Sequence, residues 1–174
     1  MIPTPPDRTE AAEYYYTYID TVPRDADVRR LIEAQVDETL TLMQGVSEEK
    51  SRHRYAPGKW SIKEVMAHVN DTERVFVYRA LWFARGFESP LPSFDQDIAN
   101  TGARADDRPW RTHLDEFRAV RSASVQFFNN LPDDAWSRRG TASGNPFTVR
   151  ALAYMTAGHL THHLRILREK YLQG

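Results

Sequence analysis

Two histidines in the segment GHLTHHLRIL carry the clearest chemical signal of this 174-residue chain. His159 and His163 are four residues apart, so on a helix they differ by about 40° around the axis and both imidazoles can reach one ion. Leu152, Met155 and Ile166 share their side of the helix, which turns the pair toward a core. Because buried imidazole needs a partner for each nitrogen, the pair indicates either a metal site or core-edge histidines bonded to backbone or water.

Two further histidines bear on this pair. His162 stands three residues after His159 and could also ligate a metal, but it lies on the side of the helix away from His163. We therefore favour His163 as the ligand and interpret His162 as a rim residue or an outer hydrogen-bond partner. His68, in the segment WSIKEVMAHVNDTE, shares a helix face with Thr72 beside an apolar stripe. It could meet the pair across a bundle, although taken alone it fits an ordinary core histidine better than a ligand.

Acid–base candidates lie on the same helix as His68. Glu64 comes one turn before it, and Asp71 and Thr72 come about one turn after it. Glu64 is either a catalytic carboxylate or simply part of a capping box with Ser61. Asp71 is a catalytic candidate that could orient the His68 ring through its second nitrogen, and Thr72 could support the ring in the same way.

Candidate substrate contacts lie farther along the chain. Arg79 and Asp95 could face a substrate from the end of this helix and from the segment after it, as could Asp97; the alternative for each is a surface charge or a loop tie. We expect the remaining histidines, His53 and His113, to be solvated.

The elements that must position these groups are helices. Four stretches carry helical periodicity, and the prolines and glycines concentrate between them, so the sequence predicts an all-α bundle. The Ser61 capping box marks one start, Pro109 and Thr148 mark two others, and residues 133–136 suit a short helical turn. The predicted helices span residues 25–45, 61–85, 109–131 and 148–172, and the long link at 89–109 should fold over the bundle.

Composition limits the other possibilities. We predict one domain over residues 25–174, preceded by an arm, 1–24, whose run Tyr14-Tyr15-Tyr16-Thr17-Tyr18 packs on the bundle. The net charge of −1 disfavours nucleic acid as a partner, and the chain has no cysteine, so any thiol chemistry needs an external thiol. The first residues lack the features of a signal peptide and no long apolar run follows, so we expect a cytoplasmic protein without membrane attachment.

The pattern GKWSIKEVMAHVNDTE, followed about 90 residues later by HLTHH, resembles the DinB/YfiT-like superfamily of bacterial four-helix proteins. The resemblance covers the chain from about Asp25 onward. It implies a four-helix bundle with up-up-down-down connectivity and a long crossover between the second and third helices, here 86–108. It also implies that His68, His159 and His163 ligate one divalent metal ion. Members of this superfamily include metal-dependent transferases that use low-molecular-weight thiols such as bacillithiol or mycothiol.

Three neutral imidazoles would leave a coordination position open on Zn²⁺ or Ni²⁺, our leading candidates, or on Fe²⁺ or Mn²⁺. An open position indicates catalysis on a small-molecule substrate, either hydrolysis by metal-bound water or transfer with a thiol cosubstrate. A non-catalytic metal- or ligand-binding bundle is the alternative, and a bundle whose histidines are purely structural is a third possibility. A homodimer is compatible with all three.

Overall fold

The architecture was obtained as a computed structural model, which describes residues 4–173. The ends of the predicted arm and domain, residues 1–3 and 174, lie outside the described residues. The described helices are α1 (Tyr16–Ile19), α2 (Val28–Met43), α3 (Ile62–Ala84), α4 (Gln96–Ala103), α5 (Trp110–Asn129) and α6 (Val149–Ile166). A π-helical segment, Leu167–Tyr171, extends α6, and 3-10 turns occupy Glu13–Tyr15, Lys50–Arg52, Ala105–Asp107 and Asp133–Ser137.

The four long helices form the predicted bundle. Helix α2 packs against α5 and α6, and α3 packs against the same two helices. Their buried faces form two apolar clusters, one containing Phe76 and Ala157 and the other containing Val69 and Leu160. The predicted four-helix class is therefore confirmed, and the up-up-down-down order stays a prediction. None of the helices within residues 4–173 has the length and apolar character needed to cross a membrane.

Local signals at the helix starts explain why the bundle helices begin where they do. The Ser61 hydroxyl accepts a hydrogen bond from the Glu64 amide (3.1 Å), and the Glu64 carboxylate accepts one from the Ser61 amide (2.7 Å), which is the predicted capping box. Thr148 caps α6 by accepting from the Ala151 amide at 3.0 Å. Helix α2, which corresponds to the first predicted helix, begins at Val28 rather than at residue 25, because the Asp27 side chain caps it.

The sequence did not predict a short β-hairpin between α5 and α6. Strands β1 (Arg139–Ala142) and β2 (Asn145–Thr148) pair in antiparallel register, with Arg139 opposite Thr148. The two residues between them, Ser143 and Gly144, both have positive φ, as a two-residue type I′ turn requires. The hairpin is tied to the crossover, since the Leu91 amide donates to the Thr141 carbonyl at 2.9 Å.

The crossover contains ordered structure of its own and corrects one prediction. Helix α4 lies against α3, where the Asn100 side chain donates to the Glu64 carbonyl at 3.2 Å. The expectation that His113 is solvated is wrong: its side chain is fully buried, because the turn before α5 covers it. Its Nε2 lies 3.0 Å from the Ala105 carbonyl, and its Nδ1 accepts from Arg108 at 3.1 Å. His53 is exposed, as predicted.

Candidate metal centre

Helices α3 and α6 bring three histidines together at the junction between the two apolar clusters. The Nε2 atom of His159 lies 3.1 Å from Nε2 of His68 and 3.1 Å from Nε2 of His163. One ligand atom from each residue lies within 4.8 Å of the others. His68 and His159 are buried, and His163 lies at the edge with partial exposure. These three residues, called the histidine cluster below, include both members of the predicted i,i+4 pair.

The donor geometry of the histidine cluster fits a metal ion better than a set of hydrogen bonds. A ring nitrogen of a neutral imidazole either donates one proton or presents one lone pair, so Nε2 of His159 cannot satisfy both of its neighbours. Three lone pairs directed at one ion would be satisfied together. Two zinc–nitrogen bonds at a tetrahedral angle span about 3.3 Å between the nitrogens, close to the observed separations.

Burial keeps these imidazoles neutral. It lowers the pKa of His68 to about 4, with a smaller contribution from the nearby His162. It also lowers the pKa values of His159 and His163 well below the ordinary value, and the neighbouring histidines add to the shift. Neutral imidazole is the form that ligates metals, so no proton has to be displaced from these nitrogens at neutral pH.

The residues around the histidine cluster hold the rings from outside. Nδ1 of His68 lies 3.4 Å from the Thr72 hydroxyl, one turn later on α3. The Trp60 ring lies 4.9 Å from the His68 ring, and Tyr18 lies edge-on 5.2 Å from the His159 ring. Asp71 and Thr72 were both predicted to support the His68 ring, and of the two it is Thr72 that lies beside it.

The other predicted polar residues lie outside the histidine cluster. His162 contacts Tyr18, with ring centroids 5.4 Å apart, and is not one of the three residues whose ring nitrogens converge. Asp71 pairs with Arg74 at 3.2 Å, and burial raises its pKa. Glu64 takes part in the capping box and pairs with Arg54.

Two separate cavities reach the histidine cluster. The first, called the tyrosine cavity below, has a volume of about 250 Å³ and reaches His68 and His159. Besides these two histidines, its walls are formed by Tyr14, Tyr15, Tyr18, Thr72, Val75, Phe76, Arg79, Phe94, Gln96 and Ser143. The second, called the Trp60 cavity, has a volume of about 270 Å³, reaches His163, and is otherwise formed by Tyr55, Gly58, Lys59, Trp60, Val65, Ile166 and Tyr171.

Of the two residues predicted to contact substrate, Arg79 and Asp95, only Arg79 lines a cavity beside the histidine cluster. Arg79 lines the tyrosine cavity and is buried, whereas Asp95 caps α4 by accepting from the amides of Asp97 and Ile98. Asp97 is exposed on the first turn of the same helix.

Sequence reasoning missed much of the cavity wall. The tyrosine run is a visible signal, for which we favoured packing on the bundle over a ligand role. Phe94, Gln96 and Ser143 carry no signal that separates them from ordinary loop residues, and the fold alone brings them to the cavity.

Together these features define a class of protein: a four-helix bundle in which two helices present a buried three-histidine cluster to neighbouring cavities. A model of the DinB superfamily matches residues 31–167. That match covers most of the chain, so the chain belongs to the DinB superfamily.

Solved structures support the fold. YfiT from Bacillus subtilis, described as a probable metal-dependent hydrolase with an unusual four-helix bundle topology, is 14% identical, with 97% of this chain and 94% of that chain covered at a TM-score of 0.71. The mycothiol-dependent maleylpyruvate isomerase is also 14% identical, with a TM-score of 0.68; 84% of this chain and 61% of that chain are covered. No curated protein matches the sequence significantly.

Proposed function

We propose that this protein is a divalent-metal-dependent enzyme that acts on a small molecule, with His68, His159 and His163 as the metal ligands. The observation that carries the proposal is the shared approach of three imidazoles in a largely buried site: one ring nitrogen of each lies within 4.8 Å of the others, and Nε2 of His159 lies 3.1 Å from Nε2 of both neighbours. Three imidazoles suit Zn²⁺ or Ni²⁺, and they also accept Fe²⁺ or Mn²⁺. Such an ion, when bound, supplies a Lewis acid and lowers the pKa of a water or thiol in its open position.

The chain's own residues would prepare this site. The three imidazoles stay neutral because they are buried, and the Thr72 hydroxyl orients the His68 ring through its Nδ1 atom. The rings of Tyr18, Trp60 and Phe76 surround the histidines and limit the entry of water. Neither Asp71 nor Glu64 lines a cavity beside the histidine cluster, so we do not assign them a proton-transfer role.

The chemistry we favour is transfer involving an external low-molecular-weight thiol, of the bacillithiol or mycothiol kind. Two separate cavities border the histidine cluster, as two substrates would require. Neither cavity is lined by a described carboxylate that could take a proton from water, whereas a metal-coordinated thiol is deprotonated outright. In the transfer step the thiol sulfur bonds to an electrophilic carbon, the thiol proton passes to solvent, and the leaving group departs with the pair of electrons.

Hydrolysis is the second candidate. The same open position could hold water in place of the thiol, with a pKa of about 7 when zinc is bound. The likeness to YfiT, described as a probable metal-dependent hydrolase, extends over 97% of this chain. This likeness supports hydrolysis as a candidate without choosing it over transfer.

The metal assignment is tested by elemental analysis of protein purified without a polyhistidine tag after growth with added metal. We expect about one ion per chain in the wild type and in His162→Ala, and less than about a tenth of an ion in His159→Ala. His162→Ala is the matched control, since it removes an imidazole three residues away on the same helix. Wild-type protein with less than about a tenth of an ion would contradict the proposal.

Activity is tested separately with thiol conjugation to electrophiles and with ester or amide hydrolysis. We expect His163→Ala to abolish whichever activity the wild type shows. An activity that survives this substitution would not belong to the site. Stoichiometric metal without either activity would instead favour the alternative of a non-catalytic metal- or ligand-binding bundle.

A further inference from the structure

Arg79 is a buried cation that no carboxylate of the described chain neutralises. Its side chain is only 3% exposed, and Nη2 donates to the Pro92 carbonyl (3.2 Å) and to the Ser143 hydroxyl (2.9 Å). Burial lowers its pKa, and the neighbouring Tyr15 phenol opposes that shift. The other buried arginine, Arg121, behaves differently: it lies 2.9 Å from the equally buried carboxylate of Glu73.

A buried charge without a partner of opposite sign is costly, so an uncompensated guanidinium beside a cavity attracts an anion. The neutral acceptors Pro92 and Ser143 occupy Nη2 and hold the side chain in place. An added anion therefore binds through the remaining N–H groups. A carboxylate oxygen accepts a charge-assisted hydrogen bond from Nε or Nη1, and the carboxylate carries the single negative charge that would balance the guanidinium.

The position of Arg79 connects this charge to the histidine cluster. It lies eleven residues after His68, about three helical turns on nearly the same face of α3, with Thr72 and Val75 between them. Arg79, His68 and His159 all line the tyrosine cavity. One molecule held at its charged end by Arg79 would thus extend along α3 toward the histidines.

The remaining walls also suit a small organic anion. They offer aromatic faces from Phe76 and Phe94, the side-chain amide of Gln96, and phenols from the arm, but no described aspartate or glutamate. The volume of about 250 Å³ is smaller than the sites of roughly 300–1,000 Å³ that hold drug-sized ligands. A small carboxylic acid with an apolar body satisfies both charge and size.

We propose that the tyrosine cavity is the substrate site and binds a small monocarboxylate, with the carboxylate on Arg79 and the apolar body directed toward the histidine cluster. The cavity's role as a substrate site rests on the proposed metal-dependent function, whereas the binding of the anion does not require the metal.

Calorimetric titration with three probes, benzoate, benzamide and phenyl phosphate, tests this assignment on metal-loaded and metal-free protein. We expect benzoate to bind at least about tenfold more tightly than its neutral isostere benzamide, because hydrogen bonds to charged groups are the stronger ones. Arg79→Met should remove this preference, and Arg79→Lys should keep part of it. Arg111→Met, which removes an exposed arginine that pairs with Asp115, is the control and should bind like the wild type.

Equal binding of benzoate and benzamide to the wild type would overturn the proposal, as would an unchanged preference in Arg79→Met. Phenyl phosphate bound more tightly than benzoate would overturn the carboxylate assignment. Should Arg79→Met fail to fold, as judged by circular dichroism, the wild-type preference and Arg79→Lys decide the matter. Metal content is measured on the same samples, so a failed metal site and a failed anion site are seen separately.

Discussion

At the scale of single residues, the hydroxyl of Thr72, which lies outside the three histidines, contacts the His68 ring. The hydroxyl lies 3.4 Å from Nδ1 of His68, the nitrogen that faces away from the cluster. Such outer contacts fix the tautomer and the orientation of a ligating imidazole. The contact is available because Thr72 follows His68 by one helical turn.

Substituting Thr72 with valine should therefore weaken metal binding while preserving the shape of the core. We expect the affinity to fall by about ten- to a hundredfold, as for other outer-shell substitutions, and Thr72→Ser to retain most of it. Competition with a chelator of known affinity measures the effect. Equal affinities in Thr72→Val and the wild type would show that this hydroxyl does not support His68.

His113 gives the free energy of unfolding a dependence on pH that does not involve the histidine cluster. Burial lowers its pKa, and its neutral form suits both the Ala105 carbonyl and the Arg108 donor. Below about pH 6.5 the unfolded chain therefore binds a proton that the folded chain does not, so the free energy of unfolding falls as pH decreases. Above that pH this contribution to stability is fully present.

We expect His113→Gln to make the free energy of unfolding less dependent on pH between 7 and 5, by at most about 1.4 kcal/mol per pH unit. Urea unfolding of metal-free protein across this range measures it. Comparing the slopes of variant and wild type cancels the contribution of the other histidines. A slope equal to that of the wild type would mean that His113 is protonated to the same extent in the folded and unfolded states.

At this scale the sequence predicted some residues well and others poorly. The i,i+4 spacing of His159 and His163 was informative because helix geometry alone brings them together. His68 required the family pattern, since its approach to them depends on how two helices pack. Arg79 was named as a substrate contact, but its burial without a carboxylate partner follows only from the fold.

At the scale of elements, α1 and α6 approach each other closely at Gly158. A Cβ atom built on Gly158 would lie 2.1 Å from the Tyr18 carbonyl oxygen, so only glycine lets the two backbones meet. The same contact places the Tyr18 ring beside His159. Glu10 strengthens the attachment of the arm by accepting a hydrogen bond from Thr148 at 2.7 Å.

Gly158→Ala should therefore loosen the arm and destabilise the protein. We expect a loss of about 1–3 kcal/mol in the free energy of unfolding, the usual cost of overpacking. Gly102→Ala, in α4, is the matched control, because its added methyl meets nothing within 4 Å, and it should be neutral or slightly stabilising. Urea unfolding compares the two variants. A Gly158→Ala protein as stable as the wild type would mean that α1 can move away from α6 at no cost.

The bundle helices were predictable because apolar periodicity and caps agree along them. Helix α4 and the hairpin were not, because both are short and depend on tertiary contacts. Asn100 anchors α4 to α3, and the hairpin turn places Ser143 at a φ of 53°, a conformation that a serine gives little reason to expect. Such elements lack the length that makes a periodic pattern visible.

At the scale of the whole molecule, the histidine cluster lies where two apolar clusters meet. On α6, Ala157 belongs to one cluster and Leu160 to the other, with His159 between them. Polar groups continue across the bundle nearby, since Gln35 donates to the Ala157 carbonyl at 3.0 Å and accepts from Arg121 at 3.3 Å. Because the two apolar clusters are formed by side chains other than the three histidines, we expect the metal-free protein to fold.

Metal binding should then add stability to an already folded protein. With free metal at 100 times its dissociation constant, the free energy of unfolding should rise by about 2.7 kcal/mol, provided that the unfolded chain does not bind the ion. His159→Ala should abolish this gain, whereas His162→Ala should keep it. Urea unfolding with and without metal measures the difference. An equal gain in His159→Ala would place the stabilising ion elsewhere.

Half of the residues that form the walls of the tyrosine cavity come from parts of the chain outside the four bundle helices: the arm, the crossover and the hairpin turn. The histidines, in contrast, project from helices whose other faces fill the core. Substitutions at Tyr14, Phe94 or Gln96 can therefore reshape the space around a bound molecule without disturbing the bundle. Within this architecture, the shape of the tyrosine cavity can diverge between descendants of one gene while the helices that carry the histidine cluster are inherited unchanged.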